Sequence, residues 1–204
     1  MPFTISRFAF IRPFLYHFTA LENRNAIASG RELLSAAQSM RFCRSSQGTK
    51  REAATRLASG TWLQTQAPLK KGNVHFMEGW TMETLVSTLN EHVFFWPGKI
   101  AGPMPYGQRH VDANLWPSSP LAIRIPTADM FSLNESALFC RFNSGSPRCN
   151  AGRKSPRGPD TFVTPFVFQG TSRDAVEVVF KGSALLPDSA ECSTDRMSTW
   201  ERLS

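Results

Sequence analysis

The chain has 204 residues, of which 41% are hydrophobic, and it includes sixteen phenylalanines and five tryptophans. This composition excludes an intrinsically disordered chain, so we expect a single domain over residues 1–204, with its core at about 12–187 and a polar, peripheral tail at 188–204 that is either a helix or frayed. The formal net charge of +7 favours a phosphate-bearing partner about as much as a basic protein without any polyanion.

The four cysteines are widely spaced and form no CxxC pair, which indicates reduced thiols and no zinc or redox motif. No apolar run approaches the ~20 residues that span a bilayer. Arg7 and Arg12 interrupt the apolar N-terminal segment before it could form the core of a signal peptide. We therefore expect a cytoplasmic protein that does not contact a membrane.

The first elements in chain order are a strand and a helix. FLYHF, residues 14–18, is short and aromatic and follows Pro13, which is typical of a buried strand. The next segment, ALENRNAIASG, consists of helix-forming residues that end at Gly30, and Thr19 can cap this helix at its start.

Three further helices and a strand are predicted before residue 100. RELLSAAQSM (31–40) and KREAATRLAS (50–59) favour helices, and so does TMETLVSTLNEH (81–92), which has Thr81 as its cap and apolar residues three and four positions apart. In HVFFWPG (92–98), four large apolar residues in succession precede a Pro-Gly stop, which predicts a strand buried on both faces.

The second half is richer in strands. Residues 98–120 predict a long surface loop, PTADMF a short helix or turn, and residues 143–160 a basic loop with a turn that Asn143 can brace through its side chain. Strands are predicted at LAIRI, ALFCRF, TFVTPFVF and DAVEVVF, and the basic loop holds Arg148, Arg153, Lys154 and Arg157. Because helices gather in the first half and strands in the second, we expect an α+β fold with a mostly antiparallel or mixed sheet.

Two polar side chains fall within predicted strands. Glu177 has small or apolar neighbours on its strand face, and lies either on a solvated face, the commoner case, or in a cleft. His17 shares a face with Leu15 and Thr19, and a lone histidine there is more often a packed core residue. The sequence has no HExxH, GxSxG, GxGxxG or P-loop motif, so no metal site is predicted.

Five short motifs occur in an order that resembles the pattern of a protein family. LYHFT, LNxxVFFW, NSG, DTF and a late strand with a glutamate, VEVVF, occur in this order over about residues 12–187. The pattern resembles an uncharacterised bacterial family. Its early strand histidine, central aromatic residue and late strand glutamate are in turn similar to the ADP-ribosyltransferase fold, especially the DNA-targeting ADP-ribosyltransferase toxins.

This resemblance implies a split sheet that binds NAD as a substrate, without a metal ion. His17 would hydrogen-bond a ribose hydroxyl of NAD with Thr19 beside it, and Phe95, or Phe94 if the register differs, would stack near the nicotinamide. Glu177 would hydrogen-bond the nicotinamide ribose, stabilise the oxocarbenium-like transition state and could accept a proton from the attacking group. ADP-ribose would then pass to a nucleic acid or a protein.

The resemblance also leaves two hypotheses about activity. Arg51 and Arg56 are the candidates for the catalytic arginine of the toxins, and a phenylalanine stands where the toxins have a central tyrosine. The alternative to an enzyme is a noncatalytic module of the same fold that holds a nucleotide or a nucleic acid with the basic loop. The two hypotheses differ in whether His17, Phe95 and Glu177 face one cleft.

Overall fold

The computed structural model describes residues 3–43, 50–113, 116 and 119–204. Six α-helices lie in these described residues: α1 Ile5–Ile11, α2 Arg24–Gly30, α3 Ala36–Phe42, α4 Met82–Asn90, α5 Pro105–Asp112 and α6 Thr127–Leu133. The strands of the described residues are β1 Phe14–Ala20, β2 Glu32–Leu34, β3 Thr55–Arg56, β4 Trp62–Leu63, β5 Val74–Phe76, β6 His92–Lys99, β7 Gly102–Pro103, β8 Pro120–Pro126, β9 Leu138–Cys140, β10 Ser155–Arg157, β11 Glu177–Lys181, β12 Ser183–Leu185, β13 Glu191–Ser193 and β14 Glu201–Arg202. The fold is α+β with mostly antiparallel sheets, which confirms the predicted class at this level.

An eight-stranded antiparallel sheet is the centre of the described fold. Its order is β14-β13-β8-β1-β6-β11-β9, and β7 pairs with β6 as the eighth strand. Alternate side chains of its strands reach opposite faces. Leu15 and Phe95 therefore lie in the main core, whereas Tyr16 and Trp96 belong to a smaller cluster that also includes Val111 of α5.

The pairing of β1 with β6 is short. The two strands pair only from Phe14 to Tyr16, opposite Gly98 to Trp96. Beyond this point β1 continues along β8, and β6 continues along β11. The sheet therefore divides at Tyr16, and His17 is the first residue of β1 beyond the division.

The helix predicted at 81–92 is confirmed as α4. It begins after Thr81, whose side-chain oxygen accepts a hydrogen bond from the Thr84 N–H at 3.2 Å. The strand predicted at 92–98 is confirmed as β6, and the segment PTADMF forms α6. In these segments the local signals agree with the tertiary structure.

Three predictions for the first half are wrong. Residues 50–59 contain β3, paired with β4, because the Gly60 turn lets Leu57 pack beside Leu63 in a small core cluster. Residues 31–40 divide at Ser35, which caps α3 by accepting a hydrogen bond from the Gln38 N–H at 3.2 Å. Thr19 does not cap α2, since its hydroxyl oxygen instead accepts a hydrogen bond from Asn23 Nδ2 at 2.8 Å.

Two predictions for the second half are also wrong. Residues 98–120, predicted to be a loop, contain β7 and α5, and their residues 114, 115, 117 and 118 lie outside the described residues. Helix α5 lies close to β6 at Gly107. A Cβ at this position would be only 2.8 Å from Cβ of Trp96, so the close approach requires a glycine. TFVTPFVF does not form a strand. Only Val163 makes a bridge, to Phe139, and Phe166 is 97% exposed.

The tail predicted to be peripheral joins the central sheet. β13 pairs with β8, and β14 pairs with β13. Cys192 and Leu203 are buried in the main core, and Arg124 of β8 forms an ion pair with Glu191 at 2.6 Å. Because the tail is mostly polar, its sequence does not indicate that Cys192 and Leu203 are core residues. None of the helices in the described residues has the length and apolar character needed to cross a bilayer.

Candidate functional site

A cavity of about 320 Å³ lies beside the division of the sheet. Its lining includes His17 and Thr19 of β1, Phe94 of β6 and Glu177 of β11, together with Arg51 from the segment before β3. Small-molecule sites in proteins commonly have a volume of roughly 300–1,000 Å³. The fold therefore brings four of the predicted site residues and one of the two candidate arginines, from distant parts of the chain, to one cavity of suitable size.

Glu177 is the most deeply buried acid of this cavity, with 1% of its surface exposed. Its Oε1 accepts a hydrogen bond from the Ser144 N–H at 3.1 Å, and its Oε2 has no hydrogen-bond partner among the described residues. Burial raises the pKa of Glu177 to about 7, although the bond from Ser144 and the charge of Arg157 act in the opposite direction. Of the two alternatives for Glu177, the cleft is therefore correct and the solvated face is not.

His17 occupies the gap where β1 leaves β6. Its Nδ1 lies 2.9 Å from the Phe94 carbonyl oxygen, which a protonated Nδ1 can contact as a donor. Because β1 and β6 are no longer paired here, the side chain of His17 contacts this carbonyl in place of a backbone N–H. Burial lowers the pKa of His17 to about 4. The hydrogen bond with the Phe94 carbonyl oxygen acts in the opposite direction but is the smaller effect. The imidazole is therefore neutral at pH 7, with Nε2 as a hydrogen-bond acceptor.

The structure distinguishes the two aromatic candidates of β6. Phe94 lines the cavity and is partly exposed, with its ring edge-on to Phe162 at a centroid distance of 5.9 Å. Phe95 is fully buried in the main core, where it contacts Phe180, and it is not among the lining residues. Of the two, Phe94 is therefore the residue that a ligand in this cavity could contact, which corresponds to the alternative register, whereas the Phe95 ring is buried 5.6 Å from the His17 ring.

The two candidate arginines also differ in position. Arg51 lines the cavity and donates hydrogen bonds to the Gln64 carbonyl oxygen at 2.9 Å and to Asn90 Oδ1 at 2.8 Å. No ion pair to Arg51 occurs within the described part of the chain. Burial lowers its pKa to about 10, so it is still a cation at pH 7. Arg56 is exposed and lies outside the lining.

The NSG segment forms the cavity wall beside Glu177. The side chain of Asn143 accepts a hydrogen bond from the Ser146 N–H at 3.0 Å, which confirms the predicted turn brace. Residues 143–146 all line the cavity. This location could not be predicted from local sequence patterns, because it depends on the pairing of β11 with β9.

Arg157 was predicted to belong to the basic loop, and this prediction is wrong, because it lies in β10, which pairs with β5. It is 1% exposed, and it donates hydrogen bonds to the carbonyl oxygens of Asn143 and Ser144 at 2.8–3.2 Å. Its guanidinium also lies 4.2 Å from the centre of the Phe142 ring. The other cations of this loop, Arg148, Arg153 and Lys154, are exposed. No local pattern marks Arg157 as buried, because Asn143, Ser144 and the Phe142 ring, which it contacts, lie thirteen to fifteen positions earlier in the chain.

Three further polar atoms of lining residues have no hydrogen-bond partner among the described residues. They are Gln64 Oε1, Trp96 Nε1 and Ser144 Oγ. With Glu177 Oε2 they give the cavity both donors and acceptors for a polar ligand. No group of three or more His, Cys, Asp or Glu side chains suited to a metal ion occurs in the ranges that the structure describes.

Comparison with known protein families identifies the family of the chain. No curated protein matches the chain. Residues 13–184 match the model of a family described as a family of unknown function, DUF7002. This region includes His17, Thr19, Arg51, Phe94 and Glu177, and it spans most of the chain. The chain therefore belongs to the DUF7002 family.

Proposed function

We propose that the protein has an ADP-ribosyltransferase-like fold, binds NAD in this cavity and transfers ADP-ribose to a nucleic acid or protein acceptor. The observation that carries the proposal is the convergence of His17, Thr19, Phe94 and Glu177 on one cavity. These side chains come from an early, a central and a late strand, in the order that the resemblance to the transferases requires. The division of the sheet between β1 and β6 supports the same likeness.

The chemistry of Glu177 suits cleavage of the N-glycosidic bond of NAD. As nicotinamide leaves, positive charge develops on the ribose, and a fixed carboxylate beside it lowers the barrier. A positively charged nicotinamide ribose would also favour the ionised form of Glu177, against the burial that raises its pKa. The Oε2 atom, which has no partner among the described residues, is available to a ribose hydroxyl.

The charge of Arg51 suits the phosphates of NAD. It is a cation that lines the cavity and has no carboxylate within ion-pair distance in the described residues. A guanidinium in this setting can bind a phosphate oxygen through charge-assisted hydrogen bonds. Arg51 is thus a better candidate than Arg56 for the arginine of the transferase site.

One observation favours the noncatalytic alternative. With a pKa of about 7, Glu177 is only about half ionised at neutral pH before a ligand binds. A phenylalanine at position 94 and the exposed cations Arg148, Arg153 and Lys154 are also compatible with a module that holds a nucleotide or a nucleic acid without cleaving it.

Incubation with NAD labelled in both the nicotinamide and the adenylate separates the two functions. Wild-type protein is tested alone and with DNA, RNA or bulk protein, and both free nicotinamide and labelled acceptor are measured. We expect nicotinamide release that depends on Glu177 and transfer of label to one acceptor class. Binding of NAD without release supports the noncatalytic module, and absence of NAD binding contradicts both functions.

A further inference from the structure

A single peptide group joins a buried cation to the Glu177 carboxylate. The carbonyl oxygen of Asn143 accepts a hydrogen bond from Arg157 Nη2 at 2.8 Å. The N–H of Ser144, on the other end of the same peptide group, donates to Glu177 Oε1 at 3.1 Å. The peptide dipole thus has its oxygen toward the cation and its N–H toward the carboxylate. Hydrogen bonds arranged in such a chain polarise and strengthen one another.

Arg157 is held rigidly at its end of this chain. Its Nη1 donates to Ser155 Oγ and to the Pro156 carbonyl oxygen, both at 2.7 Å, and its Nε and Nη2 donate to the Ser144 carbonyl oxygen at 3.2 and 3.1 Å. Within the described residues it has no carboxylate within ion-pair distance. Burial of a cation without a paired acid is costly. Besides the direct effect of its charge, Arg157 is thus connected to Glu177 through the Asn143–Ser144 peptide.

We propose that Arg157 is a positioning residue that fixes this peptide, aims the Ser144 N–H at Glu177 Oε1 and so leaves Oε2 directed to the ligand. The catalytic meaning of this arrangement rests on the proposed function. The positioning itself concerns only groups of this chain and can be measured without NAD.

The variant Arg157→Lys tests the proposal because it keeps the positive charge but cannot hold both carbonyl groups in the same fork geometry. Arg153→Lys, an exposed position of the same loop, is the matched control. NMR measures hydrogen exchange at the Ser144 amide and the titration midpoint of the Glu177 carboxyl. In Arg157→Lys we expect exchange about tenfold faster at Ser144 and a Glu177 midpoint up to about one pH unit higher. The control should change neither.

Turnover of NAD gives a second readout. Arg157→Lys should lower kcat with little change in KM, and it should have no further effect in a Glu177→Gln background, because it acts through Glu177. If the wild type does not turn over NAD, the proposed function fails, whereas the positioning role is still decided by Ser144 and Glu177. A folded Arg157→Lys protein with wild-type exchange at Ser144 and a wild-type Glu177 midpoint overturns the proposal.

Wild-type protein decides the question if the variant does not fold. The Ser144 amide shift should then titrate with the same midpoint as the Glu177 carboxyl, and the Arg157 Nε–H should be protected from exchange. Absence of either signature overturns the proposal, because each follows directly from the hydrogen-bonded chain.

Discussion

At the residue scale, the burial of Glu177 links the site to the pH dependence of stability. Its folded-state pKa of about 7 lies above the ordinary value of 4.5, so the folded state holds this proton more firmly than the unfolded state does. Stability is therefore favoured at low pH and decreases as the pH rises from about 4.5 to 7. A carboxylate that lowers the stability of its own fold at neutral pH is typical of a functional site.

Replacement of Glu177 by Gln should consequently stabilise the protein at alkaline pH. The amide cannot ionise, so the free energy of unfolding at pH 8 should increase by about 2–3 kcal/mol relative to wild type, and by nearly zero at pH 4.5. Urea unfolding at both pH values measures the difference. Glu135→Gln, at an exposed position, is the control and should show no such trend. A pH-independent effect of Glu177→Gln contradicts the raised pKa.

A second residue-scale prediction concerns Arg51. Arg51→Gln should weaken NAD binding about tenfold or more, because a charge-assisted hydrogen bond to a phosphate is lost. Arg51→Lys should recover part of the affinity. Calorimetric titration with NAD measures the change, and Arg56→Gln, which removes an exposed cation of the neighbouring β3, should bind like wild type. Equal weakening by both substitutions would indicate a general charge effect and not a phosphate site.

At the scale of the elements, adjacent residues of β6 contribute to the main core and to the lining of the cavity. Phe95 packs in the main core, and Phe94 lines the cavity. The strand keeps both functions because its side chains alternate and because it leaves β1 after three paired residues. The separation of β6 from β1 thus accounts both for the division of the sheet and for the contact of β6 with the cavity.

Substitutions on β6 should separate stability from binding. Phe95→Ala should lower the free energy of unfolding by roughly 3–5 kcal/mol, since it leaves a cavity in the main core. Phe94→Ala should cost less in stability but reduce NAD affinity, because the side chain is partly exposed at the cavity. Denaturant unfolding and NAD titration of both variants measure these effects. A smaller loss of stability for Phe95→Ala than for Phe94→Ala contradicts the observed register.

The elements that were predicted correctly from sequence are those whose structure is determined by residues close together in the chain. β6 has four large apolar residues followed by Pro-Gly, and α4 has the Thr81 cap and regular apolar spacing. The helix predicted at 50–59 is wrong because packing of Leu57 against Leu63 outweighs helix propensity. For the site, alternation alone could not decide between Phe94 and Phe95, and Arg157 could not be found because its partners are set by tertiary structure.

At the scale of the whole molecule, both ends of the chain contribute to the central sheet. β1 begins at Phe14, and the sheet ends on one side with β13 and β14 from the last residues. Cys192 and Leu203 belong to the same core cluster as Leu15. The match to the family ends at residue 184, so these last strands lie beyond the matched region.

Deletion of residues 188–204 should therefore destabilise the protein strongly. It removes three buried core residues, Ala190, Cys192 and Leu203, and the partner strand of β8, and it leaves Arg124 without its ion pair to Glu191. We expect a lower thermal midpoint and a tendency to aggregate through the newly exposed edge of β8. Arg202→Ala, an exposed substitution in β14, should leave the midpoint nearly unchanged. A truncated protein as stable as the full chain contradicts the integral role of the tail.

The proposed role of Glu177 is to promote cleavage of the nicotinamide bond of NAD bound in this cavity, by stabilising the positive charge that develops on the ribose. Its most direct test is the rate of nicotinamide release by the full chain and by Glu177→Gln at pH 8, with NAD binding measured for both. We predict release by the wild type, and a rate about 10²–10³ lower for Glu177→Gln with binding only modestly weaker, because the amide lacks the charge that stabilises the transition state. Equal rates for the two proteins, or no release by a wild type that binds NAD, would contradict the claim.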